Sequence, residues 1–380
     1  MSALAWRKFR QNKLAYGFLI FIGICFFISV LGYLVVPDSS PEANEQYLEL
    51  AAKKPGFNVI MLKISKKIKV HQTGIIQKML FGEKNNYSLI PIWKYSFLKD
   101  KLVVETFTGA VPNEGEIIEF KCFDILDKTE IQKFKLNNYS ENELIKKAII
   151  KNHIIKKTFW LGSDRFGRDM LSRLVIGSRV SLSVGFISIL ISLIIGIFLG
   201  ALAGFFRGWV DNLIVWFINV VWSIPTLLLV IAITFALGKG FWQVFVAVGL
   251  TMWVDVARVV RGQFISIREK EFVESARALG MNNARIIFHH ILPNVMGVVI
   301  VISAANFASA ILIESGLSFL GIGVQPPMPS WGSMIREHYD YIILDSAFLA
   351  LLPGAAIMVM VLAFMIVGNG LRDALDVKIE

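Results

Sequence analysis

The sequence predicts an all-α polytopic membrane protein with six transmembrane helices and an external α+β insert after the first helix. Three observations carry that prediction. The 380 residues are 55% hydrophobic and 18% charged, with a mean hydropathy of +0.60, whereas soluble domains are usually about 25% charged. Six apolar stretches are long enough to cross a bilayer, which takes about 20 residues. The charges also cluster: residues 38–158 hold 20 Lys, no Arg and 15 acidic residues, a water-facing composition. The same apolar excess rules out disorder and a set of soluble domains.

The elements follow in order. Residues 1–37 comprise a basic start, Trp6-Arg7-Lys8-Phe9-Arg10 with Lys13, and an apolar run from Leu14 to Val36. That run is too long for a signal-peptide core and reads as a retained span. Residues 38–158 form the insert, in which 102–108 and 116–120 alternate like strands. Ser140-Glu141-Asn142-Glu143 fits a capping box opening a Lys-rich helix to about Lys157. Residues 159–179 precede the membrane again, and residues 180–370 hold the remaining spans, at about 180–205, 212–236, 241–258, 294–322 and 346–370. Residues 371–380 form a tail.

Orientation follows from Lys and Arg in short loops. The start of the chain is basic, and the 258–293 loop carries Arg258, Arg261, Arg268, Lys270, Arg277 and Arg285. Four spans separate the two, so both fit the cytoplasmic side, as does the tail. The insert then lies outside, which its length permits. Arg165, Arg168, Arg173 and Arg179 fall outside as well and count against the rule.

The 259–293 loop reads as helix, turn, helix. Ile267 to Leu279 has an acidic start and Arg277 near its end, matching the helix dipole. Gly280 suits a C′ position, Asn282 or Asn283 can N-cap a second helix, and Pro293 follows before the next span. Elsewhere, Glu314 is the one acid in a strongly apolar span; it is either a functional intramembrane carboxyl or, preferred here, an outer-interface carboxylate held by an Arg or by a partner subunit. Asn306 and Gln243 either line a pathway or join helices. Asp255 and Arg258, at i and i+3, read as a local pair.

Other chemistry has no signature. Gly238-Lys239-Gly240 lacks the spacing of a phosphate-binding loop, so ATP would have to be handled by another subunit. The five His show no zinc spacing, Cys25 and Cys122 sit in unlike surroundings and read as unpaired, and no nucleophile elbow occurs. The Lys pairs of the insert lack the interleaved Arg and aromatics of a nucleic-acid surface. The residues therefore suggest no catalytic centre, cofactor, metal or nucleic-acid partner.

Glu274-Ser275-Ala276, Gly280 and Leu292-Pro293 resemble the EAA loop, here 266–293, of ABC-importer permeases. Two departures are Ser275 in place of Ala and His290 in place of Ile. Three further stretches resemble the "C"-type permease subunit of the peptide/nickel subfamily: 6–15 (WRKFRQNKLA), 161–170 (LGSDRFGRDM), and 317–327 with 330–332 (LSFLGIGVQPP and SWG). The resemblance covers 1–37 and 159–376. It implies the type I importer fold and a non-catalytic subunit of the cytoplasmic (inner) membrane. The implied partners are a second homologous permease, two ABC ATPase subunits and an extracytoplasmic solute-binding protein. The implied cargo is a short peptide, or alternatively nickel or another small solute. An ion-driven secondary transporter and an insert-centred mechanotransmitter are the rival readings; the lone Glu314 speaks against the first, and six spans with an EAA loop against the second.

Overall fold

The computed structural model describes residues 3–66, 74–109, 111–126, 130, 131, 142–238 and 240–375. Ser140 and Glu141 of the expected capping box, His71, Lys239 and the last five residues lie outside them. Five helices are long and apolar enough to cross a membrane: Lys13–Val35, Met170–Phe206, Phe241–Ile267, Asn283–Phe319 and Phe348–Leu375. The sixth expected span, 212–236, is not one helix. It divides into Gly208–Trp222 and Thr226–Leu237, bent by 91°. Pro225 lacks the N–H that would continue the first helix, and it disfavours helical geometry at Ile224. We number the spans one to six and count the bent pair as span three.

The chain forms two compact units. One comprises Met1–Ser29, Gly177–Glu337 and Ala350–Glu380; the other comprises Val30–Ile176 and His338–Leu349. In the first, spans two and four meet nearly backbone to backbone. Gly196, Gly200 and Gly204 repeat every fourth residue along one stripe of span two. A Cβ on them would fall 2.5 Å from Val256 Cβ, from the Ala257 carbonyl oxygen and from Phe264 Cβ respectively. Without a hydrophobic drive between helices in lipid, such close packing is what joins them. Gly200→Leu should therefore cost about 1–3 kcal/mol or prevent accumulation, read as a lowered melting temperature of the detergent-purified protein.

The second unit is built on a five-stranded antiparallel sheet in the order β4-β3-β2-β1-β5. Its strands are β1 (Phe57–Ser65), β2 (Tyr87–Leu98), β3 (Lys101–Thr106), β4 (Ile117–Lys121) and β5 (Ile154–Phe159). β3 and β4 lie within or close to the expected segments. Alternation along β1 sends Val59 and Met61 to one face and Leu62 to the other. Leu62, Ile92, Leu102 and Val104 pack with Ile145 and Ile149 of helix Asn142–Asn152. On the opposite face Val59, Met61 and Phe159 pack with Tyr47, Leu50 and Phe107. The helix expected to reach Lys157 ends at Asn152, and β5 follows, with Phe57 opposite Phe159 and Leu62 opposite Ile154. Edge pairing with β1 satisfies a row of backbone groups that another turn and a half of helix would not bring to the sheet. Cys25 and Cys122 are free thiols.

Ahead of span two, Asp164 is fully buried and organises its surroundings. It accepts hydrogen bonds from the backbone N–H of Phe166 (2.8 Å) and Arg168 (2.9 Å). The Arg168 Nε lies 2.5 Å away and the Arg173 Nε 3.6 Å. Arg168 and Arg173 are 3% and 1% exposed, so two of the four arginines that count against the orientation rule are internal counter-ions. Arg165 lies over the Phe166 ring, 4.5 Å from its centroid. Asp169 then N-caps the long helix by accepting from the Ser172 N–H at 2.8 Å. Burial raises the Asp169 carboxyl above its ordinary range, against the Ser172 bonds that lower it.

Candidate functional site

The 259–293 loop lies in the first unit and is built as follows. Span four runs to Ile267, further than the apolar stretch suggested. The expected helix from Ile267 to Leu279 is interrupted at Arg268–Lys270 and resumes as Glu271–Ala278. Its end is set by Gly280, whose φ of +75° falls in the left-handed region. The Gly280 N–H donates to the Arg277 carbonyl (2.9 Å) and the Met281 N–H to the Ala276 carbonyl (3.1 Å). These two bonds are the Schellman arrangement, which satisfies carbonyls that a helix end leaves open. Of the two expected N-caps, Asn282 is the one used: its Oδ1 accepts from the Arg285 N–H at 2.8 Å. Residues Ile286–Ile291 wind as a π-helix before helix Leu292–Phe319, with Pro293 in its first turn.

Only one side of helix Glu271–Ala278 is fixed. Val273 and Ala276 are buried with Phe205 of span two, Val260 and Phe264 of span four, and Ile286, Ile287 and Ile291 of the following segment. Arg268 and Arg277 both lie over the Phe205 ring, at 5.7 and 5.6 Å from its centroid. Arg207 closes the assembly through its bond to Glu269 at 2.5 Å. Burial, with Arg277 and Arg207 nearby, holds the Arg268 guanidinium below its usual value.

The other side is open. Of the residues singled out in the sequence, Glu274, Ser275, Gly280 and Pro293 are exposed, Ala276 is buried and Leu292 half-buried. The Ser275 hydroxyl turns back to the Glu271 carbonyl at 2.9 Å, so it satisfies itself where the family has Ala. The sequence reading missed the apolar members of this surface. Leu279 is 76% exposed, Phe272 44% and Phe288 61%. Their signal was available: large apolar residues on a short basic loop with no buried partner implied by its period.

Glu314 and Asn306 stand apart from the loop. Glu314 is wholly buried. It accepts from the Ser318 hydroxyl (2.7 Å) and the Ser181 hydroxyl (3.3 Å), and the Ser330 hydroxyl lies 3.3 Å from that of Ser318. Among the described residues no Lys or Arg pairs with it. The carboxylate is therefore caged by serines of spans two and five and of the turn before helix Trp331–His338, within this chain. Glu314→Leu would leave those hydroxyls unpaired, at about 1–3 kcal/mol. Glu314→Gln should retain most of the stability, and thermal unfolding of the two variants tests this. Asn306 is buried, and its Nδ2 finds no acceptor among the described residues. The expected Asp255–Arg258 pair makes no salt-bridge contact within 4.0 Å, although Arg258 still acts on the Asp255 charge. Arg258 lies over the Trp222 ring, 3.9 Å from its centroid, as a cation–π contact.

Comparisons with known proteins bear on this architecture. Residues 196–380 match the model of the binding-protein-dependent transport system inner membrane component. Residues 1–55 match the N-terminal transmembrane domain of oligopeptide transport permease C. A dipeptide transport system permease protein of Alkalihalophilus pseudofirmus is 43% identical over 221 residues, covering 58% of this chain and 72% of that relative. The chain belongs to the permease family of binding-protein-dependent transport systems. This permease is also 41% identical over 221 residues to a glutathione transport system permease protein of Pectobacterium atrosepticum, covering 58% and 73% of the two chains. With an oligopeptide transport system permease protein of Bacillus subtilis it shares 35% identity over 224 residues, or 59% and 73%. An inward-facing methionine ABC transporter covers 54% of the permease and 97% of its own chain, at 19% identity and a TM-score of 0.46. Neither family model reaches residues 56–195, which include the whole sheet. The permease is thus a membrane-spanning transport component with an added sheet unit.

Proposed function

We propose that this permease is a non-catalytic subunit of an ATP-driven importer for short peptides, coupled to separate ATPase subunits through the loop 266–293. The observation that carries the reading is the one-sided fixation of helix Glu271–Ala278. Val273 and Ala276 root it between spans two, four and five, while Phe272, Leu279 and Phe288 face outward. A short helix with fixed ends and an apolar outer ridge is suited to transmit a push from a partner to the spans. Glu274, Ser275, Ala276, Gly280, Leu292 and Pro293 are its coupling residues. Peptide cargo is supported by the relatives, whose names specify dipeptide, oligopeptide and glutathione transport.

The complete machine would contain a second homologous permease, two ABC ATPases and an extracytoplasmic solute-binding protein in the inner membrane. Both termini would be cytoplasmic and residues 38–158 extracytoplasmic. The pairing of Arg168 and Arg173 with Asp164 supports that orientation, because it removes two charges from the count that opposes it. The test is uptake of a labelled dipeptide and tripeptide into proteoliposomes holding all subunits. ATP-dependent accumulation that ceases without the ATPases bears the proposal out. Accumulation driven by an ion gradient without them, or of nickel ion in place of peptide, overturns it.

A further inference from the structure

The bend in span three opens a cleft of about 340 Å³ between spans three, four and five. It lies at the lower end of the size range of small-molecule sites. Trp222, Thr226, Met252, Asp255 and Ser309 are among the residues that line it. Among the described residues that line it, Asp255 is the one ionisable group. It belongs to the 27-residue helix of span four, three residues before the end of the apolar stretch at 258. Its neighbours Met252, Trp253, Val254, Val256 and Ala257 are all buried, while Asp255 is exposed to the cleft.

A carboxylate that faces a cleft within a span, here near its inner end, is costly and calls for a partner. The helix offers one at the right spacing, Arg258, but that guanidinium is engaged with the Trp222 ring. Among the described residues Asp255 therefore accepts no hydrogen bond and makes no salt bridge within 4.0 Å, and Arg258 acts on its charge only from a distance. A hydrogen-bond acceptor with a negative charge, held open in a cleft where a broken span exposes irregular backbone, is complementary to a compact cation with N–H donors. Irregular backbone at membrane depth is itself tolerated only where it is buried or lines a cavity. A primary ammonium meets both demands: three donors and one positive charge. We propose that Asp255 is a binding residue for the α-ammonium group of a peptide in transit.

This assignment rests on the peptide-import reading, and the experiment separates the two. Proteoliposomes with the full complex are offered two peptides of the same sequence, one with a free amino terminus and one N-acetylated, each at a concentration that loads the binding protein equally. The wild-type complex should carry the free-amine peptide about ten- to a hundredfold faster, the range of a lost charge-assisted hydrogen bond. Asp255→Asn should erase that preference, and Asp255→Glu should keep most of it. A preference unchanged in Asp255→Asn overturns the assignment, and so does equal transport of both peptides by the wild type. The second comparison stands even if a variant fails to assemble. If the wild type carries neither peptide, the import reading itself falls.

Discussion

Asp164→Ala is expected to destabilise the sheet-bearing unit by about 3–5 kcal/mol, the cost of breaking a buried ion pair by removing one partner. Asp164 is the shared counter-ion of Arg168 and Arg173, and its side chain also holds two backbone N–H groups of the turn at 164–168. The cost exceeds that of an exposed pair such as Lys54–Asp345, whose side chains are 70% and 90% exposed and whose loss should scarcely register. Limited proteolysis of the purified variant is the measurement. Cleavage should concentrate within residues 38–176, while the glycine-packed spans stay protected. Resistance equal to wild type would show that the two guanidinium groups find other acceptors.

The second large effect is at Gly280. Proline fixes φ near −65°, whereas Gly280 stands at +75° and donates its N–H to Arg277. Gly280→Pro therefore removes the cap and re-aims Leu279. Substrate-stimulated ATPase of the reconstituted complex should disappear while the spans assemble as before. Gly280→Ala separates the causes. A Cβ there meets nothing within 4 Å, so only left-handed strain of about 1–2 kcal/mol is added, and coupling should survive. Leu279→Asp keeps the turn and spoils only the outer ridge. If that variant couples normally, the ridge is not the docking surface.

The spans could be read from the sequence because lipid imposes a simple demand: some 20 apolar residues per crossing. Span three defeats that reading for the same reason. Its apolar residues run past Pro225 with no charge and only Ser223 and Thr226 beside it, so hydropathy registers length and not direction. β5 was mistaken for helix because Ile154-Ile155 between lysines fits either period, and only pairing with β1 decides. The punctuation of the loop was readable, since Gly280 and Asn282 act through bonds to residues three positions away. Its apolar ridge was not, because exposure depends on what spans two and four leave uncovered. Arg168 and Arg173 appeared in the sequence as an exception to the charge rule, and it took the burial of Asp164 to explain them. The Asp255–Arg258 spacing pointed to a close pair, whereas the guanidinium lies over Trp222, more than thirty residues away in sequence.

The π-helical stretch Ile286–Ile291 also fixes a phase. A π turn stores one residue more than an α turn, and each residue of an α-helix turns the chain by about 100°. Deleting a single residue there would let the stretch relax to α and swing helix Glu271–Ala278 by roughly that angle about the axis of span five. The ridge would then point elsewhere with its sequence intact. Chimaeras that exchange loops between permeases must therefore move residues 286–291 together with the loop, or they will carry the right contacts on the wrong side.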